Sequence, residues 1–482
     1  MHPLRISLYV VIVLMTMLGL MYFSNPHPLE DGHSQDGFHF RNNIIKYPTY
    51  ATFFRDASLS KEQKQAIEDI VHNIEDLVES EIMPEEIPDY TKIDSTKIQR
   101  ISYPGSAGEF LTKLQAQLNS GNCHIIHYGD SQIEGDRMSA YIRNRLQSMY
   151  GGGGPGFIPI KQEYHQLSAE VTPSENWIRY AAFDPTKPLL QNKNYGAYLS
   201  VSRFTAPDNP EDTIPPVREI TRATIDIRPS QRSYAKLRDI TAVGLHYGNV
   251  QHPVSVQVYH EGVLIKDSKL KKEGLYHNLE ISIPEGVKHL QFVFEGEVSP
   301  EFYGLTLTNK TGISLDNVAM RGSSGTVFGR LDRESFDGMY KNLDPKIIIF
   351  QYGGNTVPYL KDSLAVRNYV GYLKNHVNWV RRSAPEASVL FIGPSDMATM
   401  INGELKSYAL LPYLDEELKK GCLENNVAYW SLFNAMGGEN SLRYWFDQGL
   451  MGNDYVHFTP AGTRIVSELF FTALHMDLKN MK

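Results

Sequence analysis

The sequence predicts an α/β fold: a parallel sheet with helices on both faces, interrupted by a long all-β segment and preceded by one membrane-length helix. Three observations carry this. Unbroken apolar runs, Ile347-Ile348-Ile349-Phe350, Val389-Leu390-Phe391-Ile392 and Val427-Ala428-Tyr429-Trp430, alternate with helically spaced stretches. Strands buried on both faces read that way, and their alternation with helices implies a three-layer parallel sheet. From about Gln162 to Thr308 helical periodicity almost vanishes. Alternating runs replace it, such as Val254-Ser255-Val256-Gln257-Val258-Tyr259 and Leu290-Gln291-Phe292-Val293-Phe294. That is the pattern of a β-sandwich or jelly roll. Finally, Ile6 to Phe23 is an uncharged stretch of about 18 residues, enough to cross a bilayer as a helix.

Taken in order, residues 1–23 form a transmembrane anchor or signal. Met21-Tyr22-Phe23-Ser24-Asn25-Pro26 is bulky where a cleavage site needs small residues, so an uncleaved anchor is expected, with a cleaved signal as the alternative. The positive-inside rule, resting on Arg5 alone, puts everything after the helix outside the cytoplasm. Residues 24–104 read as a spacer with one amphipathic helix. Ser60-x-x-Gln63 is a capping box, and Ile67, Ile70, Val71, Ile74 and Leu77 then recur at helical spacing to about Glu81. Residues 105–161 and 309–482 make the α/β domain, and 162–308 the inserted sandwich. The first α/β strand begins near Cys123, and Met138, Tyr141, Ile142 and Leu146 mark the helix behind Ser131. That helix ends in the glycine run 151–156, which reads as a loop: no Gly-Lys-Ser/Thr follows, as a phosphate loop requires. Later helices are expected at Tyr369–Val380, Tyr413–Glu424 and Arg464–His475. Ligands of such sheets bind at the strands' carboxyl ends, where Gly129-Asp130-Ser131 and Gly353-Gly354-Asn355 both fall.

Composition removes several function classes. The 482-residue chain is 41% apolar, 21% charged and carries a formal net charge of −8, which argues against a nucleic-acid footprint. Cys123 and Cys422 are too few for a disulfide framework or a Cys-based metal site, and spacing does not say whether they pair. His124 and His127 point to opposite faces of one strand, so they do not converge on one metal. No cofactor and no metal is expected. A metal-dependent phosphoesterase would have only Asp130, Asp136, Asp454 and His457 to draw on.

The chemistry lies in two distant blocks. His124-Ile125-Ile126-His127-Tyr128-Gly129-Asp130-Ser131-Gln132 puts a serine where an apolar strand meets a glycine turn. Asp454-Tyr455-Val456-His457 comes near the other end, before Phe458-Thr459-Pro460-Ala461-Gly462. Together they offer a nucleophile, Ser131, a base, His457, and a carboxylate to orient the base, Asp454. Ser131 is expected at the start of a helix, with its own N–H and the helix's positive end turned to the site. Gly322, in Arg321-Gly322-Ser323-Ser324-Gly325, and Asn355 are candidate further donors to an oxyanion, though Gly and Asn are also ordinary turn residues.

The serine block near the start and the Asp-x-x-His block near the end resemble the SGNH (GDSL-type) esterase family, with Ser131, Gly322, Asn355 and His457 matching its four blocks in order. The resemblance implies a flavodoxin-like hydrolase domain, a Ser131–His457–Asp454 triad and an oxyanion hole of Ser131, Gly322 and Asn355. Gln132 stands where the family usually has leucine, and Thr356 where an aspartate often follows the Asn. A β-rich insert between the serine and glycine blocks is similar to that of bacterial peptidoglycan O-acetylesterases. This implies a short-acyl, foremost acetyl, esterase acting on an acylated glycan, anchored in the cell envelope by the N-terminal helix. An O-acyltransferase using the same acyl-serine and a non-catalytic wall-binding protein are the alternatives. Trp177, Tyr180, Tyr195 and Tyr198 are either rings offered to sugar faces or core aromatics. Oligomeric state is not legible.

Overall fold

The computed structural model describes residues 3–28, 34–40, 43–46, 59–78, 90–207, 218–274, 276–401 and 404–480. They fall into two compact units, Met1–Ser60 with Met400–Lys406, and Lys61–Thr399 with Ser407–Lys482. In the first, α1 (Pro3–Phe23) is long and apolar enough to cross a membrane. Strands β1 (Asn25–Pro28), β2 (Ser34–Phe40) and β3 (Asn43–Lys46) pair antiparallel where the sequence read as plain spacer.

The second unit opens with α2 (Lys61–Val78); residues 79–81 of the expected helix lie outside the described residues. Its apolar stripe, Ile67, Val71 and Ile74, is buried, so this helix is part of the packing. After α3 (Ala107–Leu118) comes β4 (Asn122–Gly129), and α4 (Arg137–Tyr150) follows the serine turn.

The chain then builds two antiparallel sheets. Their strands are β5 (Gly156–Ile158), β6 (Ala169–Pro173), β7 (Ile178–Ala181), β8 (Ser200–Arg203), β9 (Thr221–Pro229), β10 (Ala242–Gly248), β11 (Val254–His260), β12 (Val263–Lys269), β13 (His277–Ser282), β14 (Leu290–Gly296) and β15 (Glu301–Thr308). One sheet has the order β13-β10-β15-β8-β7 with β5 added on β15, and the other β12-β11-β14-β9-β6. Alternate residues of both, such as Val243, Leu245 and Leu305 facing Ile225, Val256 and Phe292, close one apolar core. Trp177 sits inside it against Phe204, Phe294 and Phe302. Tyr180, Tyr195 and Tyr198 are as buried, in the core shared with the parallel sheet. None of the four rings is available to a sugar face.

The parallel sheet resumes with β16 (Gly312–Ala319), followed by α5 (Arg333–Leu343), β17 (Ile347–Gln351), α6 (Ser363–Arg381), β18 (Ser388–Ile392), α7 (Leu411–Glu424), β19 (Ala428–Trp430) and α8 (Pro460–Lys479). Its order is β16-β4-β17-β18-β19, all parallel. Ile126, Tyr128, Ile348, Phe350 and Phe391 face α5, α6 and α7, while α4 and α8 pack together on the other side. Strand β16 and helix α5 were not read from the sequence. Its Ser-Leu-Asp-Asn run is polar at Asp316 and Asn317, which take buried partners: Asp316 bonds His124 and Tyr198, and Asn317 bonds Ser139.

The glycine run is a close-approach device. A Cβ on Gly152, Gly154 or Gly156 would lie 2.4, 2.2 or 2.3 Å from the carbonyl oxygens of Ile313, Leu307 and Leu315, so only glycine lets this segment cross β15 and β16. Across the α4–α8 contact, Arg145 donates to Glu468 at 2.6 and 2.9 Å, and the Tyr141 hydroxyl adds a third bond at 2.6 Å. Cys123 and Cys422 are free thiols.

Candidate active site

Sheet register assembles the site. Gly129, the last residue of β4, is level with Ala319 of β16 and Gln351 of β17, and Gln351 is level with Ile392 of β18. The loops beginning at Asp130, Met320, Tyr352 and Gly393 therefore leave the sheet side by side, though their residues are far apart in sequence. Gly129 gives a close fit here: a Cβ would meet the Ile133 side chain at 2.8 Å and the Gln351 carbonyl at 3.3 Å.

Ser131 is not at a helix start, which corrects the sequence expectation. It lies in a tight turn, with Ile133 N–H donating to the Asp130 carbonyl and Glu134 N–H to that of Ser131. A single 3-10 turn follows, and α4 begins only at Arg137. Gly135 and Asp136, at φ +66° and +69°, break the helical path. Asp136 is held there by Arg143, at 2.7 and 3.0 Å. The positive end of α4 thus does not serve Ser131.

His457 Nε2 lies 2.7 Å from Ser131 Oγ, and His457 Nδ1 lies 2.7 Å from Asp454 Oδ2. The other Asp454 oxygen accepts the backbone N–H groups of Val456 and His457, at 3.0 and 2.9 Å. Burial alone would raise the Asp454 pKa. The N–H donors of His457 and Val456 outweigh it and hold the carboxyl below its usual range. Tyr455 takes a left-handed φ of +57° in the short loop between Asp454 and His457. The loop is closed by Gly452 N–H on the His457 carbonyl at 2.7 Å, and Thr459 caps α8 through Gly462 N–H.

The two further candidates flank this relay. Gly322 sits at φ +74° in the turn after β16, and Met320 N–H anchors that turn to the Gly129 carbonyl at 2.8 Å. Among the described residues neither Ser131 N–H nor Gly322 N–H has a protein acceptor. Asn355 Nδ2 donates at 3.1 Å both to Asp130 Oδ2 and to the Ser323 carbonyl, so in this state both amide protons are engaged.

Sequence reasoning gave no role to three neighbours. Burial pushes Asp130 up to about 6, against the Gln132 N–H, the His457 charge and the Asn355 amide, all of which favour the carboxylate. Gln132 reaches the Val456 carbonyl at 2.7 Å. Glu134 receives Arg321 at 2.5 to 3.1 Å, and the Tyr164 ring lies 3.6 Å under the same guanidinium, fixing the Gly322 turn to the serine turn. An acidic residue at the end of an apolar strand was the one available signal. The cavity over Ser131, about 280 Å³, is bordered by Asp130, Gln132, Asn355, Tyr359, Met397 and His457.

Residues 282–465 match the family model of the GDSL-like lipase/acylhydrolase family, which takes in Gly322, Asn355, Asp454 and His457 and leaves Ser131 upstream. A comparison with curated proteins found no match. Among solved structures, a peptidoglycan O-acetylesterase aligns over 79% of this chain and 99% of its own, with 18% identity and a TM-score of 0.59. A family two carbohydrate esterase from Clostridium thermocellum, solved with cellohexaose, aligns over 63% and 99% with 12% identity and a TM-score of 0.26. One from Cellvibrio japonicus aligns over 65% and 100%, at 11% and 0.24. The match places a GDSL-like hydrolase domain in residues 282–465. The chain resembles the O-acetylesterases, and its fold is shared with the peptidoglycan O-acetylesterase.

Proposed function

We propose that this protein is a serine esterase that removes short acyl groups, foremost acetyl, from a carbohydrate polymer of the cell envelope such as peptidoglycan. The observation that carries the reading is the continuous relay from Asp454 through His457 to Ser131, with both contacts at 2.7 Å. Ser131 Oγ attacks the ester carbonyl as His457 Nε2 takes its proton. The proton then passes to the departing sugar hydroxyl, and water attacks the acyl-serine by the reverse route. Asp454 stays ionised, holds Nδ1–H and supports the imidazolium. The N–H groups of Ser131 and Gly322 receive the oxyanion, and Asn355 joins them by sharing with it the Nδ2 proton it now donates to Asp130.

A cavity of about 280 Å³, at the small end of ligand pockets, suits a short acyl group on one sugar ring better than a long acyl chain. Residues 162–308, together with β5, serve as an inserted sandwich that bears on the polymer, and α1 anchors the chain with the catalytic part outside the cytoplasm. The test is acetate release from O-acetylated peptidoglycan and from a small chromogenic acetyl ester. Wild type should release acetate from both, and Ser131→Ala, folded as judged by circular dichroism, from neither. Wild-type turnover by the folded variant would overturn the mechanism.

A further inference from the structure

A second cavity, about 430 Å³, opens where β8 and β10 end and β15 begins, and it shares no lining residue with the one over Ser131. Glu301, 1% exposed, forms its floor. Oε1 accepts from Asn192 at 2.7 Å and from Asn249 at 2.8 Å. Oε2 is buried and makes no direct hydrogen bond among the described residues, although the Asn194 side chain also acts on this carboxyl. A buried carboxylate oxygen left unpaired is costly, so the site is set to accept from a donor that enters the cavity.

We propose that this cavity binds a single neutral sugar unit of the glycan through its hydroxyl groups, as a recognition site separate from the catalytic one. Three features select that chemistry. Burial raises the Glu301 pKa against its Asn and Arg203 partners, and in its ionised form Oε2 is an acceptor only, so the ligand must bring O–H or N–H. Arg203 lines the same cavity and its positive charge already acts on the Glu301 carboxyl, which disfavours a cationic ligand and leaves hydroxyls. Around them stand the carboxamides of Asn192, Asn249 and Gln251, able to donate and accept, and an apolar wall that includes Leu189 and Val298. A sugar ring presents that alternation of hydroxyls and C–H faces. The buried aromatics supply no stacking platform, so recognition in this part of the chain falls to polar groups.

The inference rests on the glycan reading above, and its test separates the two. Full-length Ser131→Ala is titrated calorimetrically with oligosaccharides from de-O-acetylated peptidoglycan, with and without Glu301→Gln. Glu301→Gln should weaken binding at least about tenfold, the loss expected for a hydrogen bond to a charged acceptor. In the active protein it should lower kcat/KM on O-acetylated polymer by a similar factor and leave the small ester untouched. Unchanged binding and polymer kinetics in a folded Glu301→Gln protein, or no saturable binding by Ser131→Ala, would overturn the site. If Glu301→Gln fails to fold, Gln251→Ala at the rim decides: weaker binding at an unchanged Tm supports the site, and unchanged binding rejects it. Absence of acetate release by the wild type would sink the esterase reading, while the titration would still judge the cavity.

Discussion

The Gln132 carboxamide donates a 2.7 Å hydrogen bond to the backbone carbonyl of Val456. The residue after the proposed nucleophile thereby grips the residue before the proposed base, and the same nitrogen lies 3.3 Å from Ser395 Oγ. A leucine, usual in the resembled family, would fill this position without either bond. Gln132→Leu should lower kcat on a small acetyl ester about tenfold, with KM and Tm close to wild type, because near-attack geometry is sensitive to small displacements. Steady-state kinetics with a thermal melt checks this, and a matching fall in Tm would mean that the bond is structural instead.

Asp454→Asn should reduce kcat by about 10³–10⁴ and leave KM little changed, since the amide presents the wrong partner to Nδ1–H and favours the wrong tautomer. The Asp454 side chain is 54% exposed, which puts the expectation at the lower end. Titration of active sites with a serine-directed phosphonate should slow in parallel.

Asn355→Ala tests the shared proton. Loss of one preorganised donor costs about 10²–10³ in kcat. Rates that stay within a factor of a few would leave the oxyanion to the Ser131 and Gly322 N–H groups alone.

The α4–α8 pair predicts stability. Arg145 and Glu468 are both buried, with side chains 5% and 0% exposed. Glu468→Ala leaves the guanidinium without its partner and should cost about 3–5 kcal/mol. Denaturant unfolding monitored by tryptophan fluorescence measures it.

Asp415, buried under the hydroxyls of Tyr429 and Ser431, is pushed up to about 6 by burial. A carboxyl raised in the folded state contributes stability that is present below its ordinary range and lost as pH rises through the folded value. Asp415→Asn removes that dependence. Relative to wild type, the variant should therefore gain about 1–2 kcal/mol between pH 5 and pH 8. Chemical-denaturation midpoints at the two pH values provide the reading, and a difference that stays flat or reverses would contradict it.

The parallel-sheet strands at Ile347, Val389 and Val427 were legible because a strand buried on both faces is apolar almost throughout, and the one at Cys123 from its Ile125-Ile126 centre despite His124 and His127. Strand β16 was not, because Asp316 and Asn317 are polar residues whose partners, His124, Tyr198 and Ser139, belong to other parts of the chain. The helix start at Ser131 was misread for a local reason. Gly135 and Asp136 permit a left-handed turn, and whether the chain takes it depends on Arg143 holding Asp136.

The candidate reacting groups were legible in the sequence: a serine at a strand tip and an Asp-x-x-His before a capped helix need only short-range order. Tertiary structure decided what surrounds them. Level strand ends bring Gly129, Ala319, Gln351 and Ile392 together, and so decide that Asn355 meets Asp130 and that Gln132 meets Val456. It also decided that Trp177, Tyr180, Tyr195 and Tyr198 are core, and that Glu301 keeps one oxygen unpaired at a cavity. Burial and pairing of that kind depend on residues distant in sequence, and local pattern does not carry them.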